Sequence, residues 1–134
     1  MSSAWIPPAH GSPCYIEIPA LDTDRAQAFY AAVFNWTFKG RKPETGEAAG
    51  FSFPEPRFSS LTGGITKVDK IKGGAAAPKL YFYVDDLAKT MDAIVANGGK
   101  KLSDVVPESD FGLMMYAEDT EGNELGIYVM KNKA

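Results

Sequence analysis

Histidine and cysteine are almost absent from this sequence, which contains only His10 and Cys14. A single cysteine can form neither an intrachain disulfide nor a metal site built from several thiolates. His10 lies in a segment flanked by proline and glycine, with little around it to hold an imidazole ring, so we interpret it as solvated rather than as part of a catalytic triad. A P-loop and a G-x-G-x-x-G motif are also missing, so we expect no cofactor.

Long apolar runs and an excess of positive charge are missing as well. No uninterrupted apolar segment approaches the roughly 20 residues that span a bilayer, and the first residues lack the basic and apolar regions of a secretory signal. The chain has 14 basic and 17 acidic residues and no basic stripe. We therefore expect a soluble, cytoplasmic protein without a nucleic-acid or membrane partner. Its 134 residues, 45% of them hydrophobic, predict a single domain over 1–134.

The first half of the chain shows strand and helix signals in a definite order. A strand is predicted over 14–20, followed by Asp22 as the N-cap of a helix that ends near Asn35. Apolar residues recur in this helix with the spacing of one face, at Ala26, Phe29, Tyr30 and Val33. Three further strands are predicted over 36–39, 50–53 and 61–68. The first module therefore covers about 14–68 and has the order strand, helix, three strands.

The same order starts again after a linker rich in glycine and alanine, over about 69–78. A strand is predicted over 80–84, with Asp86 as the N-cap of a helix that ends at Gly98-Gly99. The residues expected to be buried in this helix are Leu87, Met91, Ile94 and Val95. Strands over 112–118 and 124–130, joined by a hairpin turn, complete a second module over about 79–130. The pattern predicts an α+β fold of two tandem βαβββ modules.

Several short segments carry a resemblance to a known superfamily: Ile16-Glu-Ile-Pro19 followed by Asp22, Ala28-Phe-Tyr-Ala31, Phe34-Asn-Trp36, and Asp119-Thr-Glu-Gly-Asn123 running into Leu125-Gly-Ile127. With the repeated module order, they make the chain resemble the vicinal-oxygen-chelate superfamily, which includes glyoxalase I, extradiol dioxygenases and bleomycin-resistance proteins. The sequence of these segments is most similar to the glyoxalase-like branch related to lactoylglutathione lyase. The resemblance implies a curved, cup-shaped mixed sheet with the helices on its outer face and a small-molecule ligand in the cup. It also implies a homodimer as the commoner assembly, beside a monomer whose cup lies within one chain.

Side chains alternate between the two faces of a strand, so each predicted strand can be divided into two sets. One face is aliphatic and is expected to pack under the helices; it carries Cys14, Ile16, Ile18, Leu80, Phe82, Val84, Leu125, Ile127 and Val129. On this basis Cys14 is expected to be a buried thiol. The opposite face carries Tyr15, Glu17, Lys79, Tyr81, Tyr83, Glu124, Gly126 and Tyr128. Such a mixture suits a ligand-binding surface, although a half-solvated sheet face or a dimer contact would also explain it.

Gly63 and Gly64 interrupt a predicted strand, where glycine is unfavourable unless another group needs the space. We count both among the candidate ligand-binding residues, with a bulge or bend as the alternative. In metal-using relatives the resemblance implies His, Gln or Glu ligands at the positions held here by Tyr15, Lys79, Gly126 and one of these two glycines. None of these residues is a normal metal ligand, so we expect no metal. A hard ion held by Glu17 and Glu124 is the alternative.

The residues left for catalysis are Glu17 as a general base and Lys79, or a tyrosine hydroxyl, as the donor that stabilises an enolate or oxyanion. Alternatively, Glu17 and Lys79 form a structural polar contact in the wall of the cup. We interpret the chain as a metal-independent, glyoxalase-like small-molecule-binding protein for a carbonyl-bearing or aromatic metabolite. If it is an enzyme, a non-redox lyase or isomerase is expected. Sequestration without conversion, as in bleomycin-resistance proteins, and a divergent divalent-metal lyase or dioxygenase are the two alternatives.

Overall fold

The structure is a computed structural model that describes residues 9–10, 12–42, 47–55, 61–72, 74 and 77–131, with backbone only at 40–42 and 47–49. Its elements, in chain order, are β1 (Tyr15–Ala20), α1 (Thr23–Phe34), β2 (Thr37–Lys42), β3 (Glu47–Ser52), β4 (Thr62–Lys67), β5 (Leu80–Tyr83), α2 (Leu87–Ala96), β6 (Lys100–Lys101), β7 (Val106–Glu108), β8 (Gly112–Glu118) and β9 (Glu124–Met130). The α+β class is confirmed. The two short strands β6 and β7 lie between α2 and β8, where the sequence pattern did not locate a strand.

Both helices begin at the aspartates that the sequence indicated. The side chain of Asp22 accepts a hydrogen bond from the backbone N–H of Arg25, and that of Asp86 accepts one from Lys89. Each aspartate thereby satisfies a backbone donor that the first turn of a helix leaves without a partner. At the other end of α1, Asn35 adopts the left-handed conformation, with φ 60°. Such a residue closes a helix and turns the chain towards the next strand.

The strands form two mixed sheets. In the first sheet the order is β1-β4-β3-β2, and in the second it is β5-β9-β8-β6, with β7 paired to β8. The first strand of each module is parallel to the last strand of that module, and the register pairs Glu17 with Gly64 and Tyr81 with Gly126. Gly64 and Gly126 therefore hold equivalent positions in the two modules. The strands β1 and β5 are edge strands of the two sheets, and no hydrogen-bonded ladder joins them among the described residues.

The core lies between the sheets and the helices. Its largest fully buried side chains come from α1, α2, β3, β4 and β9: Phe29, Phe51, Ile65, Ile94, Leu125 and Ile127. The helices also contact each other across the two modules. Val95 was expected in this core, but it is 53% exposed, so that prediction was wrong. Leu87, Met91 and Ile94 already fill the buried stripe of this short helix, and Val95 lies outside it.

A partly buried salt bridge joins the turn after β8 to the start of α1. The carboxylate of Glu121 accepts hydrogen bonds from Arg25 Nε at 2.7 Å and from Arg25 Nη2 at 2.9 Å. The same carboxylate accepts the backbone N–H groups of Leu21 and Asp22 at 2.8 and 3.0 Å. Burial alone would raise the pKa of Glu121. Hydrogen bonds from Arg25, the Asp22 backbone and Thr120, with the charge of Arg25, lower it instead to about 2.

The same turn makes a second set of contacts with the first module. Asp119 accepts the hydroxyl of Tyr30 at 2.7 Å, and the Asn123 amide donates to the carbonyl of Pro19 at 2.9 Å. Burial of Tyr30 and the neighbouring charge of Asp119 raise the pKa of the phenol well above its ordinary value. We refer to Arg25, Tyr30, Asp119, Glu121 and Asn123 as the inter-module clasp. The predicted hairpin turn is confirmed, and it also joins the two modules.

In the part of the chain that the structure describes, neither helix has the length and hydropathy needed to cross a membrane.

Candidate functional site

Tyrosines collect on the face of the sheets opposite the helices. In the first sheet this face carries Tyr15, and in the second it carries Tyr81, Tyr83, Tyr116 and Tyr128. We call these five residues the tyrosine face. Tyr15, Tyr81 and Tyr83 are 55%, 51% and 53% exposed, which is high for large aromatic side chains in strands. Exposed aromatic area of this kind is typical of a surface that contacts a ligand or partner.

Three of these tyrosines lie directly over glycines of neighbouring strands. A Cβ atom on Gly64 would lie 2.6 Å from the hydroxyl of Tyr15, and one on Gly126 would lie 2.5 Å from the ring of Tyr81. Tyr128 covers Gly112 in the same way. Each ring therefore occupies the volume that a side chain would need at the glycine. The glycines leave room for the close approach of a tyrosine side chain, which accounts for them without a bulge.

Lys79, immediately before β5, contacts one acidic and one aromatic side chain. Lys79 Nζ lies 3.2 Å from a carboxylate oxygen of Glu124, and these side chains are only 20% and 17% exposed. The same ammonium lies 4.5 Å from the centre of the Tyr116 ring, within the range of a cation–π interaction. Lys79 is thus fixed in position, and its charge is balanced by one carboxylate.

Hydrogen bonds between side chains fix two of the phenols. The hydroxyls of Tyr81 and Tyr116 are 3.2 Å apart, and this bond, followed by burial, raises the pKa of Tyr116 although Lys79 opposes the shift. Burial and a 3.0 Å hydrogen bond to Glu108 raise the pKa of Tyr128. Both phenols therefore remain protonated at neutral pH and can act as hydrogen-bond donors.

Glu17 lies in β1 of the first sheet, on the same face as Tyr15. It accepts a hydrogen bond from Thr66 Oγ1 at 3.4 Å, which is long for a bond between oxygens. The residue is exposed. Its carboxylate is accordingly less constrained than that of Glu124.

A pocket of about 180 Å³ opens where the edges of β1 and β5 face each other. We call it the seam pocket; its apolar walls come from both modules and include Ile16, Ile18, Tyr30, Leu80, Phe82 and Leu125. Glu17, Lys79 and Glu124 also line it. Ile16 and Leu80 pack against the core, as expected, and they also line this pocket. Edge strands of separate sheets leave a gap between them, and both faces of such strands can reach it.

Most of the predicted site residues come together. Glu17, Lys79 and Glu124 line one pocket, with Tyr81 adjacent over Gly126 and Tyr15 over Gly64. Tyr83 lies next to Tyr128 in the register of β5 and β9. Gly63 does not join them: its open side faces the Phe51 ring and the Ile16 carbonyl in the interior. The space at Gly63 is therefore required by core packing.

Cys14 and Tyr116 show where the division of strand faces failed. Cys14 is exposed, not buried as expected, because it precedes β1 and strand alternation does not apply to it. Tyr116 was missed, although it pairs with Gly126 in the ladder between β8 and β9. Alternation along β8 places Met114, Tyr116 and Glu118 on one face, and this signal would have identified Tyr116.

The positions at which the resemblance implies metal ligands do not fit a metal ion. Tyrosine rings occupy the side-chain space at Gly64 and Gly126, and Lys79 would bring a positive charge to the site. Within the described part of the chain, no three His, Cys, Asp or Glu side chains are grouped so that they could hold an ion. Divalent ions need several such ligands.

The tandem modules, each with its first and last strands parallel and a helix on one face, are the architecture of the vicinal-oxygen-chelate superfamily. Within that class, the chain belongs to the glyoxalase-like domain family, whose model matches residues 15–128. It is 38% identical over 134 residues to a glyoxylase-like domain-containing protein of Didymella fabae, with 92% of this chain and 98% of the relative covered.

Solved structures share the fold at low sequence identity. A genomically encoded fosfomycin resistance protein, FosX, from Listeria monocytogenes superposes with a TM-score of 0.71 at 14% identity, over 90% of this chain and 92% of that one. A glyoxalase-related enzyme from Fulvimarina pelagi gives 0.68 at 18% identity, over 89% and 88%. These likenesses concern the fold, which alone does not determine a reaction.

Proposed function

We propose that this protein binds a small, partly aromatic or carbonyl-bearing organic molecule at the tyrosine face, without a metal ion. The observation that carries the proposal is the combination of exposed tyrosine rings with a fixed lysine–glutamate pair. The rings supply flat apolar area, and the phenols and Lys79 supply donors that would orient a polar group. The occupation of Gly64 and Gly126 by tyrosine rings supports metal independence.

If the protein is an enzyme, Glu17 is the residue we assign as general base. Its carboxylate is exposed and only loosely held, so it can reach a bound molecule. Lys79 and the Tyr116 hydroxyl are the donors available to stabilise an enolate or oxyanion. These groups would suit a non-redox lyase or isomerase.

Sequestration without conversion is the second candidate, and one contact favours it. The 3.2 Å pair with Glu124 balances the charge of Lys79, which would weaken its stabilisation of an oxyanion. A pair of this kind serves equally well to shape the wall of a binding site. Proteins named for drug resistance are among the structural neighbours, and a role in holding a drug or metabolite is consistent with those names.

Calorimetric titration of chelator-treated protein with acetophenone and phenylacetone, which are neutral aromatic ketones, tests the proposal. We expect the same affinity with and without added Mn²⁺, Ni²⁺ or Zn²⁺, and a loss of about tenfold for Tyr81→Ala, since tyrosine is enriched among the contact residues whose truncation costs more than about 1 kcal/mol. Val95→Ala, on the helix side of the second sheet, is the control and should bind normally. Binding that requires an added ion would instead support the divergent metal enzyme.

Chromatography of the ligand after incubation with the protein distinguishes an enzyme from a sequestering protein. An altered ligand, with turnover lost in Glu17→Gln, would identify an enzyme; an unaltered ligand would identify sequestration. We further propose that one chain forms a complete site, because residues of both modules line one pocket. Affinity should then be independent of protein concentration, whether or not sedimentation detects a homodimer. A cytoplasmic location is also proposed.

A further inference from the structure

The seam pocket adjoins the tyrosine face, and Glu17, Lys79 and Glu124 line it. Its volume of about 180 Å³ is below the roughly 300 Å³ at which pockets for drug-sized ligands begin. It nevertheless exceeds the roughly 150 Å³ that is sufficient for an apolar cavity to take up benzene. Its walls include Ile16, Leu80, Phe82 and Leu125. One phenyl ring or branched alkyl group therefore matches its volume.

The charged groups that line this pocket do not balance. Lys79 is matched by Glu124 at 3.2 Å, and among the residues that the structure describes Glu17 has only the long hydrogen bond from the Thr66 hydroxyl. The three charges lining the pocket therefore sum to −1. An anion would have to compete with Glu124 for Lys79 and would meet Glu17 as well. A cation can pair with Glu17 directly and leave the existing ion pair intact.

We propose that the seam pocket binds the apolar end of a small organic amine, with the ammonium group against the carboxylate of Glu17. This inference rests on the proposed function and adds the charge and shape of the ligand to it. Tyr15 lies on the same face of β1, two residues before Glu17, and offers an exposed ring to the ammonium group. Aromatic faces and carboxylates together are the usual surroundings of bound ammonium ions.

Titration with three matched probes tests the charge. The probes are 2-phenylethylamine, phenylacetate, which carries the opposite charge, and ethylamine, which lacks the ring. We expect 2-phenylethylamine to bind at least tenfold more tightly than either of the others, and its affinity to fall as salt is added. Glu17→Gln should weaken it about tenfold, whereas Asp69→Asn, at a fully exposed carboxylate beside Lys67, should have no effect.

Methyl NMR spectra locate the probe. Bound 2-phenylethylamine should shift the methyl signals of Ile16, Leu80 and Leu125 but not those of the exposed Leu102 and Val105. Ile16→Phe, which narrows the pocket, should abolish these shifts; a thermal melt establishes that the variant is folded. Equal binding of the acid and the amine, or unchanged affinity in Glu17→Gln, would overturn the inference. If aromatic carbonyl compounds still bound at Tyr81, the proposed function would survive that result; if no probe bound, both would fail.

Discussion

Gly63 and Gly64 are neighbours in β4, but they face opposite sides of the first sheet. A methyl group at Gly63 would meet the backbone carbonyl of Ile16 and the ring of buried Phe51. At Gly64 it would meet the hydroxyl of Tyr15, the free end of a side chain that is 55% exposed. Only the second neighbour can move away without disturbing the core.

We therefore expect the two alanine substitutions to differ sharply in stability. Gly63→Ala should lower the free energy of unfolding by about 2–3 kcal/mol, the usual result of overpacking a core. Gly64→Ala should change it by less than about 0.5 kcal/mol, because Tyr15 swings aside. Urea denaturation of both variants and the parent measures the difference. Equal destabilisation would show that the Tyr15 ring is fixed in its place.

Individual residues of the site could be predicted only as far as strand alternation applies. The alternation identified Tyr15, Glu17 and Tyr81 as one set, because they lie inside regular strands, and it also held for Lys79, which immediately precedes β5. It failed at Cys14, which lies just outside β1, and it could not rank Gly63 against Gly64 without the strand register. The Lys79–Glu124 contact depends on the parallel pairing of β5 with β9, and no local pattern encodes that pairing.

The helices were the easiest elements to predict, because each combines an N-cap aspartate with a regular apolar spacing. The longer strands were predicted within three residues of their observed ends. The strands β6 and β7 were not, since segments of two and three residues are too short to show alternation. Their place in the sheet is set by pairing with β8 rather than by their own sequence.

The N-cap of α2 allows a comparison between adjacent aspartates. Asp86 accepts a hydrogen bond from the backbone of Lys89 at 2.9 Å, whereas the side chain of Asp85 is exposed just before the helix. Asp86→Ala should lower the free energy of unfolding by about 1 kcal/mol, the usual loss on removing an N-cap. Asp85→Ala should change it by less than about 0.5 kcal/mol. Thermal denaturation measures both, and equal effects would mean that the cap hydrogen bond contributes nothing.

The arrangement of the two modules is the property that sequence patterns could not supply. The seam pocket exists because β1 and β5 belong to separate sheets, and each strand taken alone looks like any half-buried strand. The inter-module clasp joins residues between 89 and 104 positions apart in the chain. Helical and strand periodicity are local signals, so they do not predict contacts between residues so far apart in the chain. The turn at 119–123 was correctly predicted, but its contacts with α1 were not.

Glu121 makes the stability of the whole molecule depend on pH. Its pKa is about 2 in the folded chain and close to 4.5 for an ordinary glutamate, so the folded state favours the ionised form. A lowered pKa contributes stability that is fully present above about pH 4.5 and is lost as the pH falls towards 2. The difference in pKa corresponds to at most about 3 kcal/mol. The clasp should therefore weaken in acid before Glu121 is fully protonated.

We expect Glu121→Gln to be less stable than the parent by about 2–3 kcal/mol at pH 7, because Arg25 and two backbone N–H groups lose a charged acceptor. This gap should narrow steadily between pH 5 and pH 2.5, since protonation removes the same charge from the parent. Urea denaturation across this range measures the gap. Asp104→Asn, at a carboxylate that is 94% exposed beside Lys101, should show a gap below about 0.5 kcal/mol throughout. A gap for Glu121→Gln that stays constant down to pH 2.5 would mean that the charge of Glu121 does not hold the modules together, and that only its shape and hydrogen bonds matter.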